Sequence, residues 1–519
     1  MRFSLPTLAG FLTFATACDG CSDVSLVGGA GGGAVAEGGA GGGGISVEPP
    51  AIDWYACPDE ELADLTCADV DVPLDWDAPA SRSIPIHVRR LEATEEPTGA
   101  VWLLEGGPGV PGSFMLAYAA HIHSAHPSLD VFVPDHRGTG ESAPLVCSPQ
   151  TDPPTPACMT SLREDEELVL QVNSSAAARD VAAIAEWTKR GESLSLYGRS
   201  YGTYWAHRTV SLAPGRFDKL VLDSPCSPVD GCPASSREAG IDEVGRELLA
   251  RCDDDAACLA HLGPDAEAFA ADVVSGADVG ACAPAAAAGI TGDRLRYMLA
   301  RLLGTSDARG LVPAVLHRYQ RCNASDEAAL ATLAAYFEQI DNLTATLLAD
   351  MSIPANYQVT YAEWWDSSFT VGEAEAQQAA AIFATGASLR WTETFTDGSW
   401  TALPRDPALR AWHIADTPTL VLVGGLDTAT PRASVAIDAP PIADHSHWVE
   451  LAFAGHADSS GDGIYGACSR SLIDQFLSSS GSFDDGCVAE ADLAAGGSLL
   501  DVPTSTVEFM LGTTSLYGD

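Results

Sequence analysis

Short apolar runs alternate with helix-period segments at both ends of the folded part of the chain. Ile84–Leu91 alternates apolar and polar positions and reads as a half-buried strand. Ala100–Leu104, Leu129–Val133, Leu194–Tyr197, Lys219–Asp223, Thr419–Gly425 and His447–Phe453 read as short buried strands. Asn173–Lys189 carries Ala177, Val181, Ile184 and Ala185 at helical spacing, with Ser174 or Ser175 as its cap. Tyr204–Leu212 is helix-compatible and Ser469–Leu477 is amphipathic. This alternation predicts an α/β fold with a mostly parallel central sheet. From Cys226 to about residue 410 the strands stop. The sequence there is Ala-rich and helical in period at Glu247–Arg251, Asp293–Leu303, Ser325–Ala349 and Glu373–Ala384. A large helical lid, inserted before the last strands, is the expected arrangement. It would cover the carboxyl edge of the sheet, where open α/β sheets hold their sites.

The termini and composition refine this picture. Phe3–Ala17 follows Arg2 and is too short to span a bilayer, so residues 1–17 read as a secretory signal. Ala15-Thr16-Ala17-Cys18 resembles a bacterial lipobox, with Ala15 where leucine is usual. Two glycine runs, from Gly28 and from Gly38, make residues 18–50 a flexible tether that would hold a folded domain off a membrane through a lipidated Cys18; plain secretion is the alternative. The expected divisions are then 51–225 for the first part of the core, 226–410 for the lid and 411–519 for the rest of the core. A net charge of −44 argues against nucleic acid or an anionic membrane surface as partner. Fourteen cysteines fall largely into close sequence neighbours: Cys57 and Cys67, Cys147 and Cys158, Cys226 and Cys232, Cys252 and Cys258, Cys282 and Cys322, Cys468 and Cys487. No repeated C-x-x-C pairs stand at zinc spacing. Disulfides in an exported chain are therefore expected ahead of metal ligation.

The strand at Leu194–Tyr197 runs straight into Gly198-Arg199-Ser200-Tyr201-Gly202 and then into a helix. Strand, sharp turn and helix are the context that makes G-x-S-x-G a nucleophile elbow rather than a glycine turn with a passenger serine. The elbow predicts an acid and a histidine later in the chain, each at a strand end. Asp427 follows the run Thr419–Gly425, and His456 follows His447–Phe453, 29 residues further on. Serine needs a base to become a nucleophile near neutral pH; His456 would take its proton, and Asp427 would hold the imidazole. The oxyanion would be met by the N–H after the nucleophile, Tyr201, and by one from Gly106-Gly107. Pro108 has no N–H, which points to Gly107.

Glu105-Gly-Gly-Pro-Gly109, Asp135-His-Arg-Gly-Thr-Gly-Glu-Ser142, Gly198-Arg-Ser-Tyr-Gly202, Gly425-Leu-Asp427 and Gly455-His456 together resemble the α/β-hydrolase peptidases of the proline iminopeptidase and tripeptidyl aminopeptidase group. The match spans roughly residues 100–225 and 415–475. The resemblance implies the α/β-hydrolase fold, cofactor-free hydrolysis of peptides from a free N-terminus by Ser200, Asp427 and His456, and an oxyanion hole of Gly107 and Tyr201. Glu105 stands where proline iminopeptidases usually have histidine, which favours the tripeptidyl branch. That carboxylate would bind a substrate amine or cap a turn. In Tyr361-Ala-Glu363-Trp364-Trp365-Asp366, acids beside aromatics would hold the amine, or the tryptophans would simply pack inward. The expected substrate is a peptide or a small ester, with a carboxylesterase on the same fold as the alternative and a catalytically silent surface binding protein as a third reading.

Overall fold

A computed structural model describes residues 47–518, apart from 59–61, 63, 81, 229–233, 397–399, 401–410, 415, 436–445, 462, 479–482 and 498–499. The signal segment, residues 18–46 of the glycine tether with Cys18 and Cys21, and Cys232 lie outside the described residues. Nine strands form one sheet: β1 Tyr55–Ala56, β2 Leu65–Pro73, β3 Ser83–Leu91, β4 Gly99–Leu104, β5 Leu129–Pro134, β6 Ser193–Arg199, β7 Lys219–Asp223, β8 Thr419–Gly424 and β9 His447–Leu451. Their spatial order is β1-β2-β3-β5-β4-β6-β7-β8-β9. The pairs from β5 through β9 are all parallel, while β1, β2 and β3 add an antiparallel edge. This is the mostly parallel α/β sheet that the alternating pattern predicted, and the α/β-hydrolase fold that the resemblance implied. The pattern missed β2, because its cysteine and aspartates break the apolar run; pairing along all of β3 holds it in place.

The all-apolar strands are buried on both faces, and the period of two sorts their side chains. From β4, Ala100, Trp102 and Leu104 enter one core, and Val101 and Leu103 enter the other. The first core is closed by α1 (Ser174–Thr188) and α2 (Tyr201–Leu212); Leu116–Ala125 and Ile464–Ser478 close the second. Neither predicted serine caps α1. Asn173 does, its side chain accepting from the Ala176 N–H.

Between β7 and β8 the described residues are helical, without a strand. Helices such as Arg237–Ala250, Gly292–Leu303, Leu311–Arg321 and Ala324–Leu347 share a core of their own. The last segment joins that core: Val507, Met510 and Leu511 of the helix Thr504–Leu511, and Tyr517 beyond it, pack among lid residues. The end of the chain thus fastens the lid as well as the sheet. Among the described residues the disulfides Cys57–Cys67, Cys147–Cys158, Cys252–Cys258, Cys282–Cys322 and Cys468–Cys487 join sequence neighbours and fit an oxidising compartment. Cys226 is disulfide-bonded as well.

Candidate active site

The elbow is set by two glycines that nothing larger could replace. A Cβ on Gly198 would lie 2.2 Å from the Gly202 carbonyl oxygen, and one on Gly202 would lie 2.0 Å from that of Leu104. Their absence lets β6 turn into α2 against β4. Ser200, between them, has φ 57° and ψ −126°, a conformation that a non-glycine residue holds only when its surroundings over-determine it. Here they do: the Ser200 N–H donates to the Asp223 carbonyl at 2.9 Å, and its own carbonyl accepts from Thr203.

Asp427 follows β8 and His456 follows β9, the strand beside it. The His456 Nδ1 lies 2.8 Å from Asp427 Oδ2 and 3.0 Å from Oδ1. The carboxylate also accepts the N–H groups of Ala429 and Thr430, each at 2.8 Å, and the Thr430 hydroxyl at 2.8 Å. Burial alone would raise the Asp427 carboxyl; the imidazole and the Thr430 bonds outweigh it and hold the group below the ordinary carboxylate range. An ionised carboxylate only accepts, so Nδ1 carries the proton and Nε2 is left as the basic nitrogen. Ser224 knits these pieces together. It follows Asp223, whose carbonyl holds Ser200. Its hydroxyl accepts the N–H of Ala457, next to His456, and its carbonyl lies 3.1 Å from the Thr430 hydroxyl. Sequence offered no signal for Ser224, because its partners Thr430 and Ala457 stand more than two hundred residues away; Thr430, three residues after Asp427, was within reach of a local reading that did not single it out.

Glu105 resolves one of the open alternatives. Its carboxylate accepts the Gly106 N–H at 2.6 Å and pairs with Arg199 of the elbow. It caps the turn and braces the elbow against β4. Glu105 therefore occupies the Gly106 amide, while the Gly107 and Tyr201 amides meet no acceptor among the described residues. The lid seats on this loop: Ser352 N–H donates to the Gly109 carbonyl, and the Asn356 side chain donates to that of Pro108. Glu363 is engaged too, accepting the Ser174 N–H at the head of α1 and lying 3.2 Å from Arg208. Trp364 packs edge-on to Tyr201 and Tyr204, and Trp365 stacks on Tyr361. The tryptophans thus face inward, and Glu363 spends its charge inside the fold.

Behind Tyr201 stands His136. Its Nδ1 lies 2.7 Å from the Arg137 carbonyl and so carries the proton, which leaves Nε2 to accept from the Tyr201 hydroxyl at 2.9 Å. Burial lowers the His136 pKa to about 4, and His207, also buried, is lowered to about 3. Between pH 6.5 and 4 the unfolded chain binds protons that these folded imidazoles refuse, so stability falls as pH drops through that window. For His136 the loss is on the order of 3 kcal/mol. Urea unfolding at pH 7 and pH 4.5 is expected to show this drop, with a smaller drop in His136→Gln.

Sheet order, strained elbow, and the placing of Asp427 and His456 at neighbouring strand ends define an α/β-hydrolase by fold. Over 236 residues the chain is 28% identical to the tripeptidyl aminopeptidase of Streptomyces coelicolor, covering 38% of this chain and 41% of that protein. The chain thus spans about two fifths of the length of the curated relatives it matches first. It is also 32% identical over 111 residues to carboxylesterase B of Mycobacterium tuberculosis, covering 20% of this chain and 21% of that one. A proline iminopeptidase structure from Mycobacterium smegmatis aligns over 82% of this chain and 99% of its own, at 14% identity and a TM-score of 0.35. No family model matches.

Proposed function

We propose that the protein is an exported serine hydrolase that releases short fragments from the free N-terminus of peptides. Ser200 attacks the carbonyl, His456 Nε2 takes its proton and returns it to the leaving amine, and Asp427 fixes the imidazole. Gly107 and Tyr201 supply the N–H groups for the tetrahedral oxyanion. The observation that carries this reading is the His456–Asp427 contact at 2.8 Å, in a chain whose elbow serine is held at positive φ. No cofactor takes part. The likeness to a tripeptidyl aminopeptidase supports the peptide substrate; the likeness to a carboxylesterase supports an ester-cleaving alternative.

The two are separated by matched reporters. A tripeptidyl amide with a free N-terminus is expected to turn over at least about tenfold faster than its N-acetylated twin, because an exopeptidase that pairs with the substrate ammonium loses that pairing when it is blocked. Equal turnover of free and blocked peptides would remove the exopeptidase reading, and cleavage of acyl esters alone would favour the esterase. The lid spanning 226–410 decides which substrates enter. Lipidation of Cys18 and the tether of 18–50 would keep the enzyme on the cell envelope. Mass analysis of the mature N-terminus checks this: an unmodified Cys18 with cleavage elsewhere would leave plain secretion.

A further inference from the structure

The lid's helix Arg237–Ala250 begins on the loop that carries Asp427. Gly240 of its first turn packs on Pro431, and Arg237 Nη1 lies 3.4 Å from the Ala429 carbonyl, two residues after Asp427. The guanidinium sits over the ring of Trp391, 5.9 Å from its centroid. Among the described residues no carboxylate comes within ion-pair distance of Arg237, and its Nε is buried without an acceptor. In a chain with 71 acidic and 27 basic residues, an arginine without an ion pair among the described residues, set against the loop of the candidate acid, needs an explanation.

The two nearest acids are already committed. Glu238 accepts the N–H groups of Thr385 and Ser388 and the Thr385 hydroxyl. Asp427 is filled by His456, Ala429 and Thr430. Burial disfavours the Arg237 cation most; the charges of Glu238 and Asp427 offset part of this, the neighbouring Arg390 and Arg301 add to it, and the net effect lowers its pKa. A partly buried cation with these surroundings is costly unless a partner arrives. A guanidinium is shaped for two parallel hydrogen bonds to a carboxylate.

We propose that Arg237 anchors a carboxylate of the substrate beside the scissile bond, so that the preferred substrates are short peptides with a free carboxylate close to the cleaved position. This rests on the serine hydrolase reading, since the anchor lies against the loop of its candidate acid. Arg237 itself touches no reacting atom and acts in binding and specificity.

Calorimetry on the Ser200→Ala chain, which cannot turn substrate over, tests it directly. Tetraalanine with a free C-terminal carboxylate is expected to bind about tenfold more tightly than tetraalanine amide, the discrimination a charged hydrogen-bonded pair supplies. In Ser200→Ala/Arg237→Gln that difference is expected to shrink to within about twofold, and Arg237→Lys is expected to retain part of it. Equal affinities in the chain that keeps Arg237, no binding of either peptide, or a difference that survives Arg237→Gln would each overturn the proposal. Fluorophosphonate labelling of the unsubstituted chain reads the serine hypothesis separately. A labelled Ser200 with equal affinities sinks the carboxylate anchor alone; an unlabelled Ser200 sinks the nucleophile, whatever the calorimetry gives.

Discussion

Replacing Ser200 with alanine is expected to lower kcat for a tripeptidyl amide reporter by a factor on the order of 10⁴ or more, with KM changed far less. In the proposed mechanism the hydroxyl forms the acyl-enzyme, while the Gly107 and Tyr201 amides would bind the carbonyl whether or not it is there. His456→Ala is expected to cost about as much, and the double variant no more than either alone, because the two residues act in one step. Single-turnover kinetics with matched circular dichroism separate this loss from misfolding. Unchanged turnover in Ser200→Ala would remove the mechanism altogether.

The second large effect concerns stability rather than rate. Arg137 is fully buried and makes two hydrogen bonds to Asp180, one of them at 2.7 Å, and others to the carbonyls of Leu74, Gln171 and Pro73. Asp180 in turn accepts from Trp76. Arg137 therefore ties the loop after β5 to α1 and to the turn after β2. Arg137→Ala leaves a carboxylate stranded in the core and three carbonyls without their donor. Breaking such a buried pair costs about 3–5 kcal/mol. Calorimetric unfolding is expected to show a large drop in Tm, and Arg137→Ala/Asp180→Ala a smaller one, since the uncompensated charge is then gone.

These two residues also show what sequence could and could not supply. Ser200, Asp427 and His456 stand out in sequence as candidates because each stands at the end of a short apolar run and in the expected chain order, and the structure sets Asp427 against His456. The parallel sheet and the helical insertion were legible for the same reason: all-apolar strands have to be covered on both faces. Arg137 sits in a motif that sequence could flag only as a resemblance. Its work, binding three backbone carbonyls and an aspartate, depends on contacts between distant segments. Glu105 had two readings until its partners, Gly106 and Arg199, were known. The strand β2 hid behind its polar residues, and the end of the chain carried too short an apolar pattern to reveal that it packs on the lid.

Reactivity of Ser200 itself is the sharpest test. Incubation with a fluorophosphonate followed by peptide mapping is expected to place one phosphonyl adduct on the tryptic or chymotryptic fragment that contains Ser200. Labelling should be strongly slowed in His456→Ala and abolished in Ser200→Ala. An unlabelled Ser200 in the folded chain, or labelling equally fast without His456, would contradict the account.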